Sequence, residues 1–409
     1  MNFPELRFKD DAGQNYPEWN NSTLGAVATI SSGGTPSRLK SEYWNGNIPW
    51  VTTTLIDFNI IHSANEYITE TGLKNSSAKM FPKDTLLMAM YGQGKTRGKV
   101  AVLGFNASTN QACAAILLSE KVITGFVLQN LAGRYDEIRE LSNAGGQENL
   151  SAGLIKEISF TYPSIHEQTK IANFLTTIDE KIAQLTQKHE LLAQYKKSVM
   201  RQIFSKELRF KSDKGRDFPE WVNYKITDLA KTFIGLVTTM TTSYVEKGIP
   251  LIRNSDIKQN KILKNGLINL DVNFASQHQN RMLKINDVVT VHTGDVGVSA
   301  VIDESLDGCL GFATLNTRIT SKLLSSHFLC WFYNSHAYLN FALSMSTGDG
   351  RCNFNLKDFD TSIIPVPHIN EQTKIADFLN AIDNKLTLTQ NQLGVAKQYK
   401  LGLLQQMFV

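Results

Sequence analysis

Between Glu167 and Phe204 the chain carries no glycine or proline, and apolar residues return every seven positions at Ile171, Ile178, Leu185, Leu192 and Val199. Leu175 and Ile182 fall beside them on the same face. This spacing predicts one long amphipathic helix with a coiled-coil-like seam, about 55 Å long at about 1.5 Å per residue. Pro163 stands just ahead of its start. A second segment places Ile375, Ile382 and Leu403 on one line and Leu379, Leu386, Leu393 and Met407 on the next. Thr389 and Ala396 interrupt the first line, and Gly394 and Gly402 each cost about 1 kcal/mol relative to alanine. Two helices with matching seams bury them most simply against each other. A two-fold axis perpendicular to both would make the pair antiparallel.

Elsewhere the period shortens. Asn20 to Ser164 and Val222 to Pro365 show short β-rich runs punctuated by Gly, Asn and Asp. In the first segment these are IPWVTTT from Ile48, DTLLMAMY from Asp84, GKVAVLGF from Gly98 and ACAAILLS from Ala112. In the second they are IPLIRN from Ile249, DVVTVHT from Asp287, VSAVID from Val298 and LNTRIT from Leu315. A helical stretch follows in each, about Gly125 to Leu141 and Ser326 to Met345. Each segment is expected to be an α+β domain.

The two halves are copies. EQTKIA begins at Glu167 and again at Glu371, and Gly146, Asn149, Pro163, Tyr195-Lys196 and Phe204 recur as Gly350, Asn353, Pro367, Tyr399-Lys400 and Phe408. LRFK followed by PEW occurs at Leu6 and Pro17, then at Leu208 and Pro219. Gly34 and Ile48-Pro49 answer to Gly235 and Ile249-Pro250. A repeat of this length is a domain plus a helix, not a solenoid unit, so internal pseudo-two-fold symmetry is expected. The helices are nearly duplicated, whereas the globular parts have diverged.

Composition narrows the function by exclusion. Net charge is only +4, from 42 basic and 38 acidic residues, so nucleic-acid contact would have to come from local clusters. No run is apolar enough for a membrane span, the N-terminus lacks the apolar stretch of a signal peptide, and the expected compartment is the cytoplasm. Cys113, Cys309, Cys330 and Cys352 form no CxxC pair and no ladder with histidine, so neither zinc nor a disulfide framework is expected. Gly94-Lys95-Thr96 resembles the end of a phosphate loop, but Ala89 stands where such a loop needs glycine, which excludes ATP binding there.

Candidate DNA contacts cluster in loops. In the first segment Lys95, Arg97 and Lys99 alternate with small residues, and Gly92, Gly94 and Gly98 would let the backbone approach phosphates. Arg38 and Lys40 follow the turn containing Gly33, Gly34, Thr35 and Pro36, while Gln93, Asn110 and Gln111 are amides of the kind that read adenine. The second segment offers Arg253, Asn254, His292, Thr293 and Asp295, with Asn316 and Arg318 beyond them. Amides in β-turns commonly bond the local backbone, so the clusters carry this reading and no single member does. Asp179 and Asp383, recurring with Lys181 and Lys385, are expected to form ion pairs within the chain or at a docking surface.

The alternation of a variable globular domain with a repeated helix resembles the specificity subunit of type I restriction-modification systems. GGTPSR from Gly33, EYWNG from Glu42, IPWV from Ile48, GQG from Gly92 with GKVAVLG from Gly98, NQAC from Asn110 and GGQENLS from Gly145 carry the match. The two EQTKIA copies resemble the starts of that family's spacer helices, and LRFK with PEW resembles its connectors. The resemblance implies a connector and first target recognition domain over residues 1–164, a spacer helix over 165–205, a connector and second recognition domain over 206–365, and a second spacer helix over 366–409. It implies a non-catalytic protein whose two recognition domains each read half of a split site in double-stranded DNA. A pair of methylation subunits using S-adenosylmethionine would dock on the spacer, and ATP-driven restriction subunits would join them. No cofactor is expected in this chain. The second domain has GLVTTM from Gly235 in place of GGTPSR and TGDVGVSAV from Thr293 in place of GQGKTRGKV, so residue roles do not carry over to it.

Two other classes fit the sequence less well. A DNA amino-methyltransferase would need an Asn/Asp-Pro-Pro-aromatic tetrapeptide, which the chain lacks. A coiled-coil adaptor without sequence-specific DNA binding would explain the helices but not two diverged domains on one framework.

Overall fold

The computed structural model describes residues 4–92, 95–141, 149–346 and 352–408, so the candidate Gln93 lies outside them. The chain forms two contact units, Met1–Thr186 with Asn391–Val409, and Gln187–Gln390. Both division points fall inside long helices, which run over Ile165–Phe204 and Ile369–Met407. Each unit therefore contains the first part of one long helix and the last part of the other.

In the first unit a five-stranded sheet has the order Ala28–Ser32, Cys113–Leu118, Leu86–Ala89, Val100–Leu103 and Ile60–Ile61. A four-stranded sheet has the order Glu66–Ile68, Trp44–Val51, Ala107–Thr109 and Met80–Phe81. Every residue of Leu86–Ala89 and Val100–Leu103 is buried, which explains why these runs are continuously apolar. Their alternation sorts them into two layers. Leu86, Met88, Val100, Val102, Ala114 and Ile116 join a core with Phe126, Ile171, Leu175, Leu404 and Met407. Leu87, Ala89, Ala101, Leu103, Cys113 and Ala115 face the other way, toward Val51, Phe81 and Ala107. The five-stranded sheet thus lies between a helical layer and a second sheet, because a strand exposes alternate residues to opposite faces.

The second unit repeats the plan. Ala230–Ile234, Leu315–Ile319, Val288–Thr290 and Ser299–Val301 form one sheet; Tyr244–Val245, Ile268–Leu270, Ile249–Arg253 and Leu310–Phe312 form the other. Val288 and Leu315 pack with Phe328, Ile375 and Leu379, whereas Val289 and Ala300 face Ile252 and Ile257.

Two expectations need correction. Each helical stretch after the sheet is two helices, Thr124–Gly133 with Tyr135–Glu140, and Ser326–Tyr333 with His336–Met345. Arg134 leaves the helical region between the first two, and Ser335 starts a new helix by accepting the Tyr338 N–H at 3.3 Å. The second correction concerns alignment. Gly33 matches Gly235, one position away from the Gly34–Gly235 match read from the sequence. Gly34 N donates to Thr109 O and Leu236 N to Gly311 O, while a Cβ added to Gly33 or Gly235 would lie 2.1 or 2.3 Å from those same carbonyl oxygens.

The repeated strings prove to be halves of one device. Arg7 of the first LRFK grips buried Glu167 through Nε (3.0 Å) and Nη2 (2.7 Å), and Nη2 also donates to Pro17 O of PEW. Arg209 grips buried Glu371 at 3.1 and 2.9 Å and donates to Pro219 O. Gln168 and Gln372 each donate to the proline carbonyl that precedes their helix, at 2.9 and 2.8 Å. Lys170 and Lys374 reach Asp11 and Asp213 at 2.6 Å. EQTKIA is therefore a clamp that fixes the connector to the first turn of the helix.

Candidate nucleic-acid interface

The loop from Gly33 to Lys40 leaves the end of a strand and is fixed from several sides. Gly33 and Gly34 are buried, and a Cβ at Gly34 would meet Ser77 at 2.3 Å, so these glycines serve close packing. Trp50 Nε1 donates to Gly34 O at 3.0 Å and Trp44 Nε1 to Ser37 O at 3.1 Å. Thr35 Oγ1 donates to Gln111 Oε1. Arg38 lies 3.6 Å over the Trp44 ring and forms a two-pronged pair with Glu66, which raises the arginine's pKa and lowers the carboxylate's. Lys40 donates to Tyr43 Oη at 2.9 Å and has no carboxylate partner among the described residues. Thr35, Arg38, Lys40 and Gln111 are thus brought to one surface, supported by Trp44 and Trp50, tryptophans whose residue type favours core or cover positions, and by Glu66, which sequence reasoning did not assign.

The second basic set divides. Lys95 is exposed, and its carbonyl accepts from Tyr135 Oη at 2.6 Å. Arg97 is only 7% exposed and donates through Nη2 to Arg139 O at 2.9 Å, which sets its guanidinium inside the fold. Lys99 is paired with Asp57 at 2.5 Å. Gly98, at φ +85°, packs beside Arg139, so the close approach made by this glycine is to a helix. Asn110 spends its backbone N–H on Val51 O at 3.0 Å and is half-buried.

In the second unit the candidates are largely occupied by one another. Arg253 clips Asp256 through Nε and Nη2 at 2.8 and 2.7 Å. Asn254 Oδ1 accepts His292 N at 2.8 Å, His292 Nδ1 meets Thr293 Oγ1 at 2.7 Å, and Thr293 Oγ1 donates to Asn353 Oδ1 at 2.8 Å. This chain ties three loops together. Burial lowers the His292 pKa, favouring the neutral ring. Asp295 is exposed on the adjoining turn. Arg318 is spent on Asp287 (3.0 and 2.6 Å) and on Met282 O, and Asn316 is fully buried in the sheet. Burial and internal pairing argue against base contact by Asn316 and Arg318.

The repeated aspartates pair with lysines other than Lys181 and Lys385. Asp179 takes Lys400 at 2.6 Å and Asp383 takes Lys196 at 2.5 Å. Among the described residues no group of three or more His, Cys, Asp or Glu is placed to hold a metal, and the four cysteines are free. No described helix is long and apolar enough to cross a membrane.

Two α+β repeats, each presenting loops at the end of a packed sheet and each clamped to a long helix, define a duplicated recognition scaffold. The profile of the type I restriction modification DNA specificity domain matches residues 16–194 and again 219–398, and the chain belongs to that family. It is 21% identical to the type I restriction enzyme MjaVIII specificity subunit of Methanocaldococcus jannaschii, with 98% of this chain and 96% of that one aligned. Identity to the MjaIX specificity subunit of the same organism is 25%, over 61% of this chain and 60% of the relative's length. In structure it is similar to the S subunit of a type I restriction-modification system from M. genitalium, at TM-score 0.64 and 15% identity over 100% and 99% of the two chains.

Proposed function

We propose that this chain is the non-catalytic, sequence-specific DNA-binding subunit of a type I restriction-modification complex, with one recognition domain for each half of a bipartite site. Residues 1–164 and 206–365 are the connectors with their recognition domains, and 165–205 and 366–409 the spacer helices. One observation carries the reading: the same backbone frame holds different chemistry in the two units. The loop after Gly33 bears Arg38 and Lys40, whereas the loop after Gly235 continues Leu236-Val237-Thr238-Thr239-Met240. A scaffold that only joined partners would have no use for this contrast.

The helical part supports a spacer formed by an antiparallel, coiled-coil-like pair. Asp179, early in one long helix, pairs with Lys400, late in the other, and Ile171 shares a core with Leu404 and Met407. Lys196 and Asp383 repeat that relation in the second unit, where Ile203 joins Ile375 and Leu379. Each helix also leaves an equivalent apolar pair in water: Leu191 and Tyr195 are 56% and 50% exposed, Val395 and Tyr399 67% and 56%. A duplicated exposed pair at i and i+4 suits two copies of one partner, and methylation subunits using S-adenosylmethionine are the partners this reading assigns. ATP-driven restriction subunits would join the assembled complex.

Mapping methylated positions across the genome of a host carrying this chain with its partner subunits tests the proposal. The expected result is two short motifs at a fixed gap. An uninterrupted motif, or methylation without sequence preference, would overturn it.

A further inference from the structure

Leu39 is 96% exposed. Single exposed leucines are ordinary on protein surfaces and need no special account. This one differs in what surrounds it. Its loop is braced by the Gly33–Gly34 packing, by two tryptophan N–H donors, by the Thr35–Gln111 bond and by the Arg38–Glu66 pair stacked on Trp44. The leucine is therefore held away from the body of the protein by a stiff support, and Lys40, whose ammonium reaches the Tyr43 hydroxyl, follows it in the chain. The corresponding loop of the second unit also carries an exposed apolar side chain, Val237 at 61%, although it stands two residues after Gly235 where Leu39 stands six after Gly33.

We infer that Leu39 is an apolar wedge that enters a base step of the DNA duplex at the half-site of the first unit, with Lys40 on a neighbouring phosphate and Arg38 holding the loop in shape. Wedges of this kind unstack a step and need a rigid support, since a compliant loop would fold back before the bases parted. The adjacent cation favours a phosphate-bearing partner over an apolar protein surface. The inference rests on the DNA-recognition reading proposed above.

The test uses the complete complex with its methylation subunits and duplexes carrying 2-aminopurine at successive positions through and beside each mapped half-site. The wild-type complex should raise the fluorescence several-fold at one step. Leu39→Ala should abolish that rise and weaken binding about tenfold, a loss of about 1.4 kcal/mol, while Leu39→Met retains both. The motif itself and subunit assembly should be unchanged. Because Leu39 is 96% exposed, the substitution leaves folding intact. A signal that survives Leu39→Ala, or no responsive step despite specific binding, would overturn the wedge alone. Impaired subunit assembly in Leu39→Ala would overturn it too, by assigning the residue to a protein contact. Absence of any sequence preference in the wild-type complex would overturn the underlying reading as well.

Discussion

Arg7 and Arg209 fill corresponding sockets that differ at the tryptophan donor, and Arg209 adds a pair with the exposed Glu220 at 3.0 Å. Glu371 also accepts the Trp221 N–H at 3.2 Å, whereas the Trp19 N–H is buried without a hydrogen-bond partner. Removing Arg7 would leave Glu167 as an uncompensated buried carboxylate. Arg7→Ala is therefore expected to cost about 3–5 kcal/mol of stability. Arg209→Ala should cost roughly 1 kcal/mol less, because the tryptophan donor stays. Denaturant titrations of the two variants check both sign and order. The basic loops yield a second expectation at this scale. Lys40→Ala and Lys95→Ala should each lower the slope of log affinity against log salt by about 0.9 for a lost phosphate contact, with the motif unchanged. Arg97→Ala should instead lower stability, because its guanidinium lies inside the fold; equal salt slopes in all three variants would contradict this division.

The second long helix carries two glycines that the first lacks. At Gly394 and Gly402 an added Cβ would meet nothing within 4 Å. Alanine at either site should therefore stabilise the protein by roughly 0.5–1 kcal/mol, measurable as a higher unfolding midpoint. These helices were legible in the sequence because a seven-residue apolar period over dozens of positions has few other solutions. The central strands were legible too: Leu86–Ala89 and Val100–Leu103 are buried on both faces and so read as unbroken apolar runs. Short strands such as Ile60–Ile61 and Ala107–Thr109 left no such trace, since two or three residues carry no period. The helix breaks at Arg134 and Ser335 were hidden because apolar residues continue on both sides of them. Candidate site residues were harder still. Charge at positions 38, 97 and 318 is visible in a sequence, but the carboxylates and carbonyl that occupy those guanidinium groups come from segments 28, 42 and 31 residues away.

At the scale of the whole molecule, the proposal makes the paired helices a ruler. Deleting one or two turns within Ile165–Phe204, with the matching deletion in Ile369–Met407, should change the gap between half-motifs and leave their sequences alone. Methylation mapping reads this directly, and an unchanged gap would refute it. The internal repeat was legible at this scale because LRFK, PEW and EQTKIA recur almost verbatim. That these strings form a single joint was not legible, because Arg7 and Glu167 are 160 residues apart.

That joint has an evolutionary consequence. Since both copies use the same arginine, the same glutamate and nearly the same surrounding letters, genetic crossover inside the stretches encoding them would exchange a whole reading head while leaving every arginine facing a glutamate. New target preferences could then arise by shuffling intact heads, without passing through a misfolded ancestor.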